Sequence, residues 1–464
     1  MRSDFRRWAA LVVVCLGQLM IMLDTTIVNV ALPYIQRDLH FSQANLTWIV
    51  NAYLIAFGSL LLLAGRIGDL VGRRKVFLAG VFLFTVASVG AGLAPGAGNL
   101  ITARFLQGVG ASLSAGVILA IIITEFQKPA ERAQAMSMFT LVIAGGGSLG
   151  LLAGGLLTQF VNWHWIFFIN LPVGIATMVL GAWLIEENEG LGLSQGVDVA
   201  GAALVTAALM VGVYAIVTAA DFGWSSWHTL GFGGAALVLL AVFAAIQRRI
   251  ANPIMPPRVL AIRSLTGASA VRALVFTGIS TSFFIGVLYL QHVRGFTAFG
   301  TGLAFLPTTV TLGVLSAGIT ARLMARVGPR NLLLVGMTTI IGAFSLFALA
   351  SDQTSYFPQL LAGYGLLGLG GGMTFLPLLT IAMSEAPVAD AGVASGFSNQ
   401  VQQVGGALGL AVIGSVSTSY SLDFLLAAAS VAAGLGIVVG VLRPSRARTR
   451  PQPVRAEVAE SEAA

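Results

Sequence analysis

Long apolar runs, separated by short loops whose basic residues crowd to one side, constrain this chain more than any other feature. Fourteen runs lie near 9–31, 44–64, 76–94, 99–123, 135–158, 165–184, 198–219, 228–246, 265–290, 300–321, 331–350, 356–381, 391–414 and 422–442. Each has the length a helix needs to cross about 30 Å of hydrocarbon. Helices are the fitting element, because a lipid-embedded backbone has to satisfy its hydrogen bonds within the segment. Of the 25 Lys and Arg residues, only Arg37 and Arg294 fall in loops on the sparse face. Only Arg104 and Arg272 fall inside runs, and the rest share one face. The positive-inside rule puts that face in the cytoplasm. An even number of spans returns the C-terminus to it, in agreement with the basic residues of both tails.

Composition supports a membrane protein. The chain is 57% hydrophobic and only 9% charged, where soluble domains carry about 25% charged residues. A net charge of +7 raises the question of nucleic acid. The arginines instead hug the ends of apolar runs, so no nucleic-acid partner is expected. The single Cys15 excludes an intrachain disulfide. Arg2, Arg6 and Arg7 before an apolar run resemble a signal peptide. The run is long and lacks a small-residue cleavage site, so it reads as a retained first span.

The expected fold class is all-α integral membrane. Fourteen transmembrane helices form two six-helix bundles with two extra central helices. An acidic stretch at 185–197 and a Pro-rich stretch at 247–264 bracket the central pair. The predicted units are an N-terminal bundle over 1–190, the central pair with flanking loops over 191–264, a C-terminal bundle over 265–442, and a disordered cytoplasmic tail over 443–464. Duplicated bundles of this kind occur in secondary transporters.

Asp24 is the only carboxylate well inside a run. An acid at mid-helix costs about 2.5–3.5 kcal/mol on insertion scales. Apolar surroundings favour the neutral form of a carboxyl group, which suits a proton carrier. The competing role is structural, a hydrogen bond to a neighbouring helix. Gln18, Met22, Thr25 and Asn29 share a helical stripe beside Asp24. Arg104, near the start of the fourth run, lies at a similar depth, roughly 7 Å below the outer face against roughly 10 Å for Asp24. It is either the partner of Asp24 or a residue snorkelling to headgroups. Arg272, near the inner end of the ninth run, reads as a snorkelling residue.

The loop Gly65-Arg66-Ile67-Gly68-Asp69-Leu70-Val71-Gly72-Arg73-Arg74-Lys75 joins the second and third runs. Its glycines permit a tight turn, Asp69 is placed to cap a helix start, and the cluster 73–75 suits anionic lipid. Gly146, Gly150 and Gly154 form a small-xxx-small stripe for close helix approach. Asn399, Gln400, Gln402 and Gln403 put four amides in the thirteenth run, either lining a cavity or bonding across helices. Neither lysine follows a glycine, so the chain has no phosphate-binding P-loop. His40, His164, His228 and His292 sit near loops, without an HExxH pair. No enzyme, metal or cofactor is expected.

Taken together, these segments resemble the major facilitator superfamily, and within it the fourteen-helix drug:proton antiporter branch. The 65–75 loop is similar to the superfamily signature between helices two and three, and Arg104–Gly110 to the motif of helix four. The runs 23–33, 48–54, 170–174 and 252–256 resemble markers of the fourteen-helix branch. The resemblance implies two bundles around a cavity that opens alternately to either side. Asp24 and Arg104 would be its proton-coupling pair, and Gly65, Asp69, Gly72 and Arg73 would belong to an inner gate. Candidate cargo contacts are Gln18, Met22, Thr25, Asn29, Asn51, Tyr53, Gln107, Asn399 and Gln403. Three positions depart from the family pattern. Leu151 replaces the usual Pro of helix five, Leu70 replaces a basic residue, and Gln402 replaces an Arg, which removes a cavity-side positive charge and favours cationic cargo.

The expected function is export of hydrophobic, often cationic, small molecules in exchange for protons, by a monomer in a bacterial inner membrane with both termini cytoplasmic. Its partners are the cargo, protons and membrane lipids. The alternatives are a dedicated exporter of one endogenous metabolite, a lipid flippase, or a non-transporting membrane sensor.

Overall fold

The computed structural model describes residues 2–187, 190, 192, 198–250, 253, 257–351, 354–385, 391–417 and 419–441, and these contain helices and no strand. The long helices follow the apolar runs in order: α1 (Arg2–Asp38), α2 (Trp48–Val71), α3 (Arg73–Gly92), α4 (Ala97–Glu125), α5 (Pro129–Phe160), α6 (Asn170–Leu184), α7 (Val199–Phe222), α8 (Trp227–Gln247), α9 (Arg263–Leu288), α10 (Ala298–Val314), α11 (Pro329–Ala348), α12 (Leu361–Met383), α13 (Ala391–Val416) and α14 (Tyr420–Gly440). Among the described residues, nine helices are long and apolar enough to cross a membrane, and the bent α2 brings the number to ten. The expected tail 443–464 lies outside the described residues, as does the marker at 252–256 apart from Pro253.

The apolar surface faces outward as well as inward. Leu237 is 69% exposed, Val439 61% and Phe82 59%, which suits a molecule whose solvent is lipid. Helix association therefore depends on close packing. A Cβ built on Gly110 of α4 would lie 2.5 Å from the Phe84 amide nitrogen of α3, so only glycine allows that crossing. The stripe Gly146, Gly150 and Gly154 presses α5 onto α1 in the same way. A Cβ on Gly150 would stand 2.8 Å from the Leu23 carbonyl oxygen.

Helix partners repeat along the chain. In the first half α1 packs on α5 and α6, α4 on α2 and α3, and α3 on α6. In the second half α9 packs on α13 and α14, α12 on α10 and α11, and α11 on α14. Each pairing thus recurs eight helices later. The halves meet where α2 packs on α13 and α5 on α10. Helix α7 touches both halves, through α2 and α13, while α8 packs mainly on α7. Asp198 caps α7 and accepts a hydrogen bond from Gln247, which ties the central pair together at its basic-face end.

Candidate functional site

Five helices of the first half converge on Asp24. Its Oδ2 accepts from Arg104 Nη1 at 2.5 Å, and its Oδ1 accepts from Gln107 Nε2 at 3.0 Å and Asn170 Nδ2 at 3.2 Å. Arg104 and Gln107 come from successive turns of α4, and Arg104 Nη1 also donates to Gln107 Oε1 at 2.9 Å. Asn170 opens α6. Ser88 of α3 closes the network, accepting from Gln107 at 2.7 Å and Asn170 at 3.3 Å. From α2, the Ile49 carbonyl accepts from Arg104 Nε at 3.0 Å, and the Tyr53 ring lies 4.5 Å from the guanidinium. Asp24 is 0% exposed and Arg104 1%. Depth brings charge and countercharge together, and the low local dielectric strengthens every bond in the cluster. Arg104 therefore does not snorkel.

The arrangement has one chemical property of interest. Charge-assisted bonds hold an ion pair with no net charge inside the membrane. A proton added to Asp24 would remove its attraction for Arg104 and leave the guanidinium with neutral partners alone.

At the basic face, Gly72 (φ 114°) makes the turn between α2 and α3. Asp69 lies in the last turn of α2 and caps no helix, contrary to the sequence expectation. It pairs with Arg73, one helical turn on, at 2.9 Å. Arg73 also donates to the Ala120 carbonyl of α4 at 3.3 Å. Gly65 faces the Gly116 backbone of α4 across a close crossing. Arg74 and Lys75 both reach Glu187, so protein carboxylates engage the cluster that suited anionic lipid. Leu70 is buried, and its carbonyl accepts from Gly192 N at 3.1 Å.

The chain matches the Major Facilitator Superfamily over residues 14–410. It is 38% identical to the puromycin resistance protein pur8 of Streptomyces alboniger, over 91% of this chain and 84% of that protein. It is 34% identical to the tetracenomycin C resistance and export protein of Streptomyces glaucescens, over 89% and 76% of the two chains. The chain belongs to the major facilitator superfamily. The crystal structure of the peptide transporter POT in complex with sulfate has the same fold, with a TM-score of 0.67 over 93% of each chain at 14% identity. This facilitator is a multi-pass membrane transporter and not an enzyme.

Other candidate residues of the facilitator fall into three groups. Gln107 and Tyr53 belong to the Asp24 cluster and are fully buried. On the α1 stripe, Gln18 and Asn29 are buried, Met22 packs against Gly146, and half-buried Thr25 donates to the Ile21 carbonyl and reaches the Tyr53 hydroxyl at 3.5 Å. The third group lies along α2 and α13. Among the described residues, Asn51 is 0% exposed with neither amide atom hydrogen-bonded, Gln403 packs on Gly58, Gln400 donates to the Ser59 carbonyl, and Asn399 is half-buried.

Sequence reasoning missed Ser88 and undervalued Asn170. A lone serine in an apolar run carries no signal, whereas Asn170 stood in a noted motif without a role. Arg272 was also misplaced. Its Nε donates to Gln402 Oε1 and its Nη1 to Ser398 Oγ at 3.2 Å, so it bonds sideways to α13 and does not snorkel. The positive charge expected to be lost at Gln402 is supplied by Arg272 beside it. Leu151, in place of the usual Pro, is buried within continuous α5, where its carbonyl meets Gly302 of α10.

Proposed function

We propose that this chain exports hydrophobic drugs or antibiotics in exchange for protons, by alternating access across a bacterial plasma membrane. The observation that carries the proposal is the fully buried Asp24–Arg104 pair, in a chain related to proteins named for antibiotic resistance and export. All fourteen segments span the membrane as a bundle of six, a central pair and a second bundle of six. The eightfold offset in helix partners supports this division. Domain limits at 1–190, 191–264 and 265–442 follow from it, with both termini cytoplasmic.

The joints between the halves support an inward-facing conformer. Gln291 donates to the Val30 carbonyl at 2.8 Å, Phe299 N to Gln159 at 3.1 Å, and Phe160 lies 6.2 Å from Phe299. All three sit at helix ends that loop charge assigns to the outside. A proton reaching Asp24 from outside would release Arg104 and loosen α1 from α4. Its departure to the cytoplasm would restore the pair. The loop with Gly65, Asp69, Gly72 and Arg73 forms the inner gate. Cargo would meet Thr25 and Met22 on α1 and Asn399 and Gln403 on α13. One pH unit supplies about 1.36 kcal/mol per proton, and 100 mV about 2.3 kcal/mol per charge moved.

Proteoliposomes under an imposed pH gradient test the proposal. Wild type should accumulate a fluorescent hydrophobic drug against its gradient and dissipate the pH difference faster when drug is present. Asp24→Asn should do neither. Uphill accumulation by the variant would remove Asp24 from the mechanism. A dedicated exporter is the second possibility, favoured because pur8 is named for resistance to one compound. It would move a single member of a chemically varied panel.

A further inference from the structure

Two arginines lie inside spans, and they are treated differently. Arg104 is neutralised by Asp24. Arg272, among the described residues, has only neutral partners, the Gln402 carbonyl oxygen and the Ser398 hydroxyl. It lies nine residues into α9, about 13 Å along the helix from its basic-face end. Gln402 lies eleven residues into α13, about 16 Å from the corresponding end. The guanidinium is therefore held deep in the membrane, away from headgroups.

Its surroundings indicate which way it faces. Arg272, Phe276 and Phe283 follow one another at helical spacing on α9. Phe276 touches Gly406 of α13, and Phe283 stacks on Phe305 of α10 at 5.2 Å. The opposite side of α9 is occupied by α14, which meets Leu274 and Gly278. The arginine stripe thus faces α13 and α10, which make the main packing contacts of this half with the other. Gln400 and Gln403, each with an unpaired acceptor among the described residues, lie on the neighbouring face of α13, against Ser59 and Gly58 of α2.

An ionised side chain in this setting marks a ligand or ion path. A guanidinium presents a planar fork of N–H donors whose geometry matches a carboxylate. A carboxylate can take two parallel bonds from the fork and adds charge attraction that the neutral oxygens of Gln402 and Ser398 do not supply. We propose that Arg272 is an anion-recognising cargo contact: it takes the carboxylate of an amphipathic cargo, whose apolar body lies along Phe276 and Phe283. This rests on the export function proposed above and adds a preference that Gln402 alone would not predict. Export of an anion against entry of a proton moves net positive charge inward on both legs, so such transport is more strongly voltage-driven than that of a neutral analogue.

The test uses three probes with one apolar body: 1-pyrenebutyrate, its methyl ester, and the matching trimethylammonium compound. Binding to the purified full chain is read by pyrene anisotropy in detergent. Transport is read in phosphatidylcholine proteoliposomes, with and without phosphatidylglycerol. Arg272→Gln should weaken pyrenebutyrate binding by about tenfold or more, as loss of a charge-assisted bond requires. It should leave the ester within about twofold and improve the cation relative to the anion. Arg272→Lys, which keeps the charge but not the fork, should fall between. Equal loss of all three probes in both variants would show a packing role and overturn the proposal, as would undiminished anion binding in Arg272→Gln. An effect seen only with phosphatidylglycerol, and equal for all probes, would assign the site to a lipid phosphate and also overturn it. Arg272-dependent binding without pH-driven transport would sink the export function and leave the anion contact standing. Transport that ignores Arg272 would do the reverse.

Discussion

Neutralising both members of the Asp24–Arg104 pair should separate stability from transport. Both side chains are essentially inaccessible, at 0% and 1% exposure. Removing one partner of such a pair strands the other and costs about 3–5 kcal/mol. The lower end applies here, because stranded Arg104 would keep the Ile49 carbonyl, Gln107 and the Tyr53 ring, and stranded Asp24 would keep Gln107 and Asn170. Asp24→Asn and Arg104→Gln should each destabilise by about 3 kcal/mol, more than a hundredfold in the folded-to-unfolded ratio. The double variant places two neutral amides in the same network, so it should recover most of that loss, with a coupling energy of about 2 kcal/mol or more. Unfolding of purified protein in detergent at graded denaturant measures the four corners of the cycle. Proteoliposome antiport measures function in parallel. All three variants should lose proton coupling, the stable double variant included. Additive stabilities would show that the two residues do not act as a pair. A double variant that still couples protons to drug movement would refute the assigned role altogether.

Other predictions follow from individual contacts. Asn170→Leu removes donors to Asp24 and Ser88 and should destabilise by about 1–3 kcal/mol, with slower antiport measured at equal protein density. Asn51→Leu should raise the unfolding midpoint, because both amide atoms are buried without partners and apolar replacement of such a group is neutral or favourable. If the amide serves the other conformer, turnover should fall at the same time. Gly150→Ala forces a Cβ against the Leu23 carbonyl and should cost about 1–3 kcal/mol by overpacking, measured as a lower denaturation midpoint. Gly72→Ala places a side chain at φ 114°, a backbone region that costs about 1–3 kcal/mol, and should lower the yield of folded protein in size-exclusion chromatography.

The helices were legible because lipid leaves few options. An apolar run of sufficient length satisfies its own backbone or does not insert, so composition alone placed most elements within a few residues. Asp24 and Arg104 stood out for the same reason, since a charge in an apolar run is rare. The role of Asp69 was misread because the end of α2 was placed too early. The helix runs on to Val71 and turns Asp69 from a cap into an ion-pair partner. Arg272 was misread because nearness to a span end looked sufficient for snorkelling, whereas its acceptors lie on α13, about 130 residues along the chain.

Sequence alone determined that this is a many-helix membrane protein, which face of it is basic, and which few charges lie within the apolar layer. Those properties depend on local hydropathy and on loop charge, both additive along the chain. Only the tertiary structure decided which polar groups meet. It gathered Asp24, Ser88, Arg104, Gln107 and Asn170 from four helices and gave Arg272, among the described residues, neutral partners only. Such meetings depend on how helices cross and rotate, which glycine contacts and side-chain shape fix across long sequence separations. No local pattern of hydropathy encodes them.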